Sequence, residues 1–133
     1  MKLNVIVIDD SAVQLAISAK LIQQNEHLNL VGTFTNPFLG LSAVNNNDVD
    51  LVLLDVEMPE IDGFALQKLF KISVAVIINS TRSSFKYQAL ESGAIDFIAK
   101  PLTAGKVNLA ISKVLTVKEN APVLNTVITT IAS

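Results

Sequence analysis

Three aspartates, a serine and a lysine stand where apolar runs of this chain stop. Leu3 to Ile8 ends in Asp9-Asp10, and Leu51 to Leu54 ends in Asp55. Ile77-Ile78 leads into Asn79-Ser80-Thr81, and Ile98-Ala99 into Lys100-Pro101. If these runs are strands of one parallel sheet, their carboxyl ends share a rim, and residues 9 and 100 become neighbours. Carboxylates crowded there repel. At about 4 Å and an effective dielectric near 20, each pair costs roughly 4 kcal/mol. A divalent cation offsets that cost. Oxygen ligands beside a phosphate-bearing partner suit Mg²⁺, and Lys100 supplies further positive charge. Asp55 as a carboxylate nucleophile, acidic metal ligands, a hydroxyl donor and a cation are together the parts for phosphoryl transfer to a carboxylate, which gives an acyl phosphate.

The elements that must position these groups alternate between two periods. Strands are expected at Leu3 to Ile8, Leu28 to Thr33, Leu51 to Leu54, Val74 to Ile78 and Ile95 to Ala99. Between and after them, helices are expected at Ala12 to Asn25, Pro37 to Val44, Phe64 to Phe70, Ser84 to Ser92 and Thr103 to Val117. Ser11 suits the N-cap of the first helix, whose Val13, Ile17 and Leu21 trace one face. Pro37 is tolerated in a first turn, and Gly93 suits a helix stop. Val107, Ala110, Ile111, Val114 and Leu115 trace a stripe on the last helix. Five β-α repeats imply an α/β fold, a five-stranded parallel sheet with helices on both faces. Strands covered on both faces read as near-continuous apolar runs, and VIVI, LVLL and VAVII do.

The chain has 133 residues, which suits one domain. Half are hydrophobic and 17% charged, within reach of a single core. No apolar run approaches a bilayer span, and the amino-terminal run ends in two aspartates instead of a small-residue cleavage site. An intracellular protein is expected, and the absence of cysteine agrees with a reducing compartment. A net charge of -2 gives no electrostatic reason to expect nucleic-acid binding.

Four motifs carry a family resemblance: Val7-Ile8-Asp9-Asp10-Ser11; Leu53 to Pro59 with Asp62-Gly63; Ser80; and Gly93 to Pro101 (GAIDFIAKP). Each alone is weak, but together they stand in order at the ends of the right strands. The chain resembles the CheY-like receiver domains of two-component response regulators over residues 2 to about 118. The spacing from Ser80 to Gly93 and the segment LNLVGTFTN look most like receivers that precede LytTR-type DNA-binding domains. GAIDFIAKP is also similar to receivers of chemotaxis methylesterases. The resemblance implies a flavodoxin-like three-layer sandwich with sheet order 2-1-3-4-5. It implies Asp55 as phosphoacceptor, and Mg²⁺ (or Mn²⁺) held by Asp9, Asp10, Asp55 and the backbone carbonyl of Glu57. Ser80 then bonds the phosphoryl group, Lys100 pairs with it, and the Lys100-Pro101 peptide is cis. Phe97 matches the aromatic that turns when Ser80 moves, which reshapes the face of the fourth helix, fifth strand and fifth helix. The implied partner is a sensor histidine kinase or phosphotransfer protein in the cytoplasm, with homodimers through that face. The protein would catalyse only its own phosphorylation and dephosphorylation.

Plainer readings stand beside these. Asp55 could cap the next helix, although that helix begins near Gly63, too far for direct capping. Asp9-Asp10 could cap the first helix. Ser80 is crowded by Thr81, Ser83 and Ser84, and Lys100 could be a surface lysine. His27, the one histidine, precedes a strand and is assigned no chemistry. An aspartyl-nucleophile phosphatase would commonly show Asp-x-Asp, where this chain has Asp55-Val56-Glu57. A nucleotide or flavin binder would need a glycine-rich cradle that the acidic first turn lacks. A receiver that never takes phosphate would be expected to lack some of the five site residues. Residues 1–118 are expected to form the domain. Residues 119–133, which include an uncharged, β-branched run, are expected to be a tail or linker suited to pairing with a strand. A stand-alone relay receiver without an output domain is the alternative organisation.

Overall fold

A computed structural model describes residues 2–71 and 73–118 in full and the backbone of 119–132. The strands are β1 (Leu3–Ile8), β2 (Leu28–Phe34), β3 (Leu51–Leu54), β4 (Ala75–Ser80) and β5 (Asp96–Ala99). The helices are α1 (Ala12–Gln23), α2 (Pro37–Asn46), α3 (Gly63–Gln67), α4 (Lys86–Glu91) and α5 (Ala104–Ala132). The sheet runs β2-β1-β3-β4-β5, and every pairing is parallel. This is the expected (βα)5 sandwich.

Side chains alternate across the sheet and so feed two cores. Val5, Val7, Leu53, Ile77 and Ile98 meet Leu15 and Ile22 of α1 and Val107, Ala110, Ile111 and Val114 of α5. Ile6, Ile8, Val52, Leu54, Val76 and Ile78 meet Val44 of α2, Phe64 and Leu66 of α3 and Ala89 of α4. Each fully buried Leu or Ile stabilises by about 1.5–3 kcal/mol relative to exposure. Together these side chains make the sheet a rigid platform.

Local chemistry sets the helix ends. The Ser11 hydroxyl accepts from Gln14 N, as expected of an N-cap. The Asn36 carboxamide accepts from Phe38 N and Leu39 N, a cap not foreseen. Asp62, not Asp55, caps α3 by accepting from Ala65 N. Gly93 ends the α4 segment at φ +93°, where a Cβ would be strained.

Three expectations need correction. The face of α1 that packs on the sheet carries Leu15, Ser18 and Ile22; Val13 is 68% exposed and Ile17 39% exposed. Apolar residues lie on several sides of this helix, so periodicity alone cannot choose the face. The fourth strand continues through Asn79 and Ser80, because β5 pairs with both. The polar pair is therefore inside the sheet, not in a loop. The fourth helix is split into a 3-10 turn at Ser83–Phe85 and the short α4. The pairing role expected for residues 119–133 falls outside the fully described residues. Among the described residues, no helix is long and apolar enough to cross a membrane.

Candidate functional site

The ladder of the sheet continues one residue past three strands. Asp9 N donates to Phe34 O at 3.1 Å, Asp55 N to Ile8 O at 3.0 Å, and Lys100 N to Ser80 O at 2.9 Å. Backbone hydrogen bonding thus holds the expected site residues on a stiff edge, not on free loops. Because side chains alternate, Asp9, Asp55 and Lys100 share the face of Val7, Leu53 and Ile98, while Ser80 shares the face of Ile78.

The carboxylates converge. Oxygen atoms of Asp9, Asp10 and Asp55 all lie within 4.8 Å of one another. Asp9 and Asp55 are buried and Asp10 is exposed. The Lys100 ammonium bridges the buried pair, at 2.8 Å from Asp9 Oδ2 and 3.3 Å from Asp55 Oδ1. Asp9 Oδ1 also accepts from Ser11 N at 2.9 Å, and Asp55 Oδ1 from Val56 N at 3.0 Å.

One ammonium does not neutralise three carboxylates. Burial, and then the charge of Asp9, push the Asp55 carboxyl from its ordinary 3.8 up to about 6, against the pull of Lys100. Burial also opposes the charge on Lys100. The hydrogen bond to Asp9 and the two buried carboxylates outweigh it and hold the ammonium above its usual range. The electrostatics leave net negative charge in an all-oxygen donor set whose Asp9 and Asp55 members are buried. That set fits a hard divalent cation such as Mg²⁺ or Mn²⁺, and oxygen donors alone do not choose between the two.

The surrounding residues brace this centre. A Cβ on Gly63 would collide with Asp55 O and come within 3.0 Å of Val56 Cα. Gly63 N donates to Val56 O at 2.8 Å, so the loop through Pro59 folds back onto the Asp55 backbone. Only glycine permits that approach. Ser80 is buried, while Thr81, Ser83 and Ser84 are exposed. The Ser80 hydroxyl accepts from Arg82 N at 3.1 Å. Phe97 is half-buried against the α2–α4 core, and the Lys100-Pro101 peptide is cis. His27 lies at the opposite end of the sheet, where its carbonyl accepts from Leu3 N, and its ring is 3.6 Å from Glu26.

Two residues went unassigned in the sequence. Arg82 pairs with Glu57 at 3.2 Å and so links the loops after β3 and β4. Its position two residues past Ser80, opposite an acid two past Asp55, was a signal open to reading. Asn79 was grouped with the rim, but its burial beside the site had no signal in a single chain.

Comparison with known proteins extends the pattern. A family model described as the response regulator receiver domain matches residues 5–112. A protein-glutamate methylesterase/protein-glutamine glutaminase of Burkholderia thailandensis is 39% identical over 105 residues, which cover 74% of this chain and 29% of that protein. The chain thus spans about a third of the length of the curated relatives it matches. The CheX-CheY-BeF3-Mg complex of Borrelia burgdorferi superposes with a TM-score of 0.75 at 27% identity, covering 85% of this chain and 89% of that one. The complex of the CheA3 P1 domain with CheY6 of R. sphaeroides gives 0.72 at 27% identity, covering 86% and 97%. Of the two subfamily likenesses, the methylesterase one appears among these relatives.

Proposed function

The chain belongs to the response regulator receiver domain family, and on that premise we propose that Asp55 is the residue that accepts a phosphoryl group in two-component signalling. The observation that carries this reading is the convergence of Asp9, Asp10 and Asp55 within 4.8 Å, with Lys100 bridging the buried two. The donor is a phosphohistidine of a sensor kinase or phosphotransfer protein. A receiver neighbour in complex with a kinase P1 domain supports that partner class.

An Asp55 oxygen attacks phosphorus, the P–N bond to the donor histidine breaks, and the histidine nitrogen takes up a proton. The product is an acyl phosphate. Asp9, Asp10, Asp55 and the Glu57 carbonyl would hold magnesium, which when bound supplies positive charge against the phosphoryl oxygens. A neighbour solved with BeF3 and magnesium supports that choice of ion. Lys100 turns its ammonium toward the new phosphoryl oxygens as Asp55 loses its own charge. The Ser80 hydroxyl exchanges its bond from Arg82 N for one it donates to the phosphoryl group. Phe97 turns into the space that Ser80 leaves.

The output is the face of α4, β5 and α5. Tyr87, Leu90 and Leu109 are large and exposed there, which suits a partner or a second copy of the chain. We take residues 1–118 as the receiver and 119–133 as a tail or linker. The domain acts in the cytoplasm and catalyses only its own phosphorylation and dephosphorylation.

The test is direct. Acetyl phosphate with Mg²⁺ should add one phosphoryl mass to the protein, acid-stable enough to weigh and lost with hydroxylamine. Asp55→Asn should add none. An equal yield in that variant removes the assignment.

A further inference from the structure

Asn79 is 3% exposed, and its carboxamide oxygen has no hydrogen-bond partner. Leaving a desolvated acceptor without a donor is costly, so such a group calls for a function or a second state. The sheet register locates it. Leu53 pairs with Ile77, and Ile98 pairs with Asn79. Asp55 follows Leu53 by two residues and so stands opposite Asn79. Lys100 follows Ile98 by two. By alternation Asn79, Asp55 and Lys100 occupy one face of the sheet. Lys100 rises from beyond β5, yet its ammonium reaches Asp55 beyond β3 and Asp9 beyond β1. Its stem must therefore cross the end of β4, where Asn79 sits.

The ammonium and the Asn79 oxygen are complementary but not bonded to each other in this state. An ammonium has three N–H donors. Two are taken by Asp9 and Asp55, and the Asn79 oxygen, on the same face of the sheet, is bonded to none. Those two carboxylates are also members of the cation cluster. A divalent cation would draw on the same two carboxylates and repel the ammonium, which favours Lys100 giving up an acceptor when the cluster is loaded.

We propose that Asn79 is a positioning residue for Lys100, its carboxamide oxygen accepting an ammonium N–H that Asp9 or Asp55 gives up on magnesium loading. The inference rests on the metal site of the reading above. It explains why an acceptor with no donor is tolerated in a buried strand: its donor arrives in the loaded state. Lys100 then stays beside Asp55, its charge retained for the phosphoryl oxygens.

The test titrates Mg²⁺ into the full chain carrying ¹⁵N-labelled lysine and follows the Lys100 ammonium signal together with Mg²⁺ affinity. In the wild type the signal should shift and stay sharp on saturation. Asn79→Leu should weaken Mg²⁺ binding by roughly tenfold or more, broaden the Lys100 signal, and melt in chelator at the wild-type temperature or above it. Mg²⁺ binding by Asn79→Leu at wild-type strength overturns the proposal, as does a wild-type Lys100 signal that ignores Mg²⁺. If Asn79→Leu does not fold, Asn79→Ala carries the same comparison. A wild type that shifts with Mg²⁺ but takes no phosphoryl group sinks the receiver function and leaves this assignment intact.

Discussion

Arg82 holds Ser80 with its backbone and Glu57 with its side chain. The amide donates to the Ser80 hydroxyl at 3.1 Å, and the guanidinium lies 3.2 Å from the Glu57 carboxylate. The two halves of this contact differ in strength of constraint. The first is set by the chain path after β4. The second joins two partly exposed side chains across the mouth of the site.

Replacing Arg82 with Ala should therefore change folding stability by about 0–1 kcal/mol, because exposed ion pairs contribute little. The amide bond to Ser80 should survive. Urea melts at low and high salt check this: the small difference from wild type should shrink as salt rises.

Lys100 is the opposite case. It is almost fully buried with its two carboxylates. Lys100→Met should destabilise the magnesium-free protein at pH 7 by about 3–5 kcal/mol, since it leaves buried charge uncompensated. Denaturant melts should show the loss, with partial recovery on acidification as the Asp55 carboxylate protonates.

Asp55 gives a pH dependence whose sign follows from its raised pKa. The folded carboxyl holds its proton up to about pH 6, the unfolded one only to 3.8. Between those values the folded state binds more protons, so stability falls as pH rises. Asp55→Asn has no such titration. In chelator, its stability advantage over wild type should grow from pH 4 to pH 6 and level off above. Parallel urea melts across that range check it, and an advantage that shrinks with rising pH contradicts the assignment of the shift to Asp55.

Gly63→Ala should cost about 1–3 kcal/mol, in the range of overpacking a close contact. The added Cβ meets backbone atoms of Asp55 and Val56, which cannot rotate away. Because the displaced peptide carries the Asp55 side chain, acetyl phosphate labelling should fall along with the melting temperature. A variant that melts lower yet labels at the wild-type rate would show that the loop moves without the carboxylate.

Much of this was legible in the chain because the sheet is covered on both faces. Runs such as Val5 to Ile8 and Leu51 to Leu54 must then be apolar without interruption, and the first polar residue marks the rim. That logic located Asp9, Asp55 and Lys100, and the structure brings them into contact. It misled at the fourth strand, where Asn79 and Ser80 are polar yet inside the sheet. It also misled at α1, where Val13 and Ile17 are as apolar as Leu15 and Ile22 but face outward. Only packing against β1 and β2 decides between those faces. Arg82 and Glu57 went unread as a pair: exposed loop charges carry no periodic signal, and only their matching offsets from Ser80 and Asp55 pointed to it.

The bridge from Lys100 to Asp9 spans 91 positions of the chain. A ribosome-bound nascent chain that has not yet delivered its fifth strand has its three acids but no counter-charge among them. On the function proposed above, phosphoryl transfer to Asp55 thus waits for translation to pass Pro101 and for the sheet to close. On that reading, a phosphorylated chain is one whose sheet has already closed.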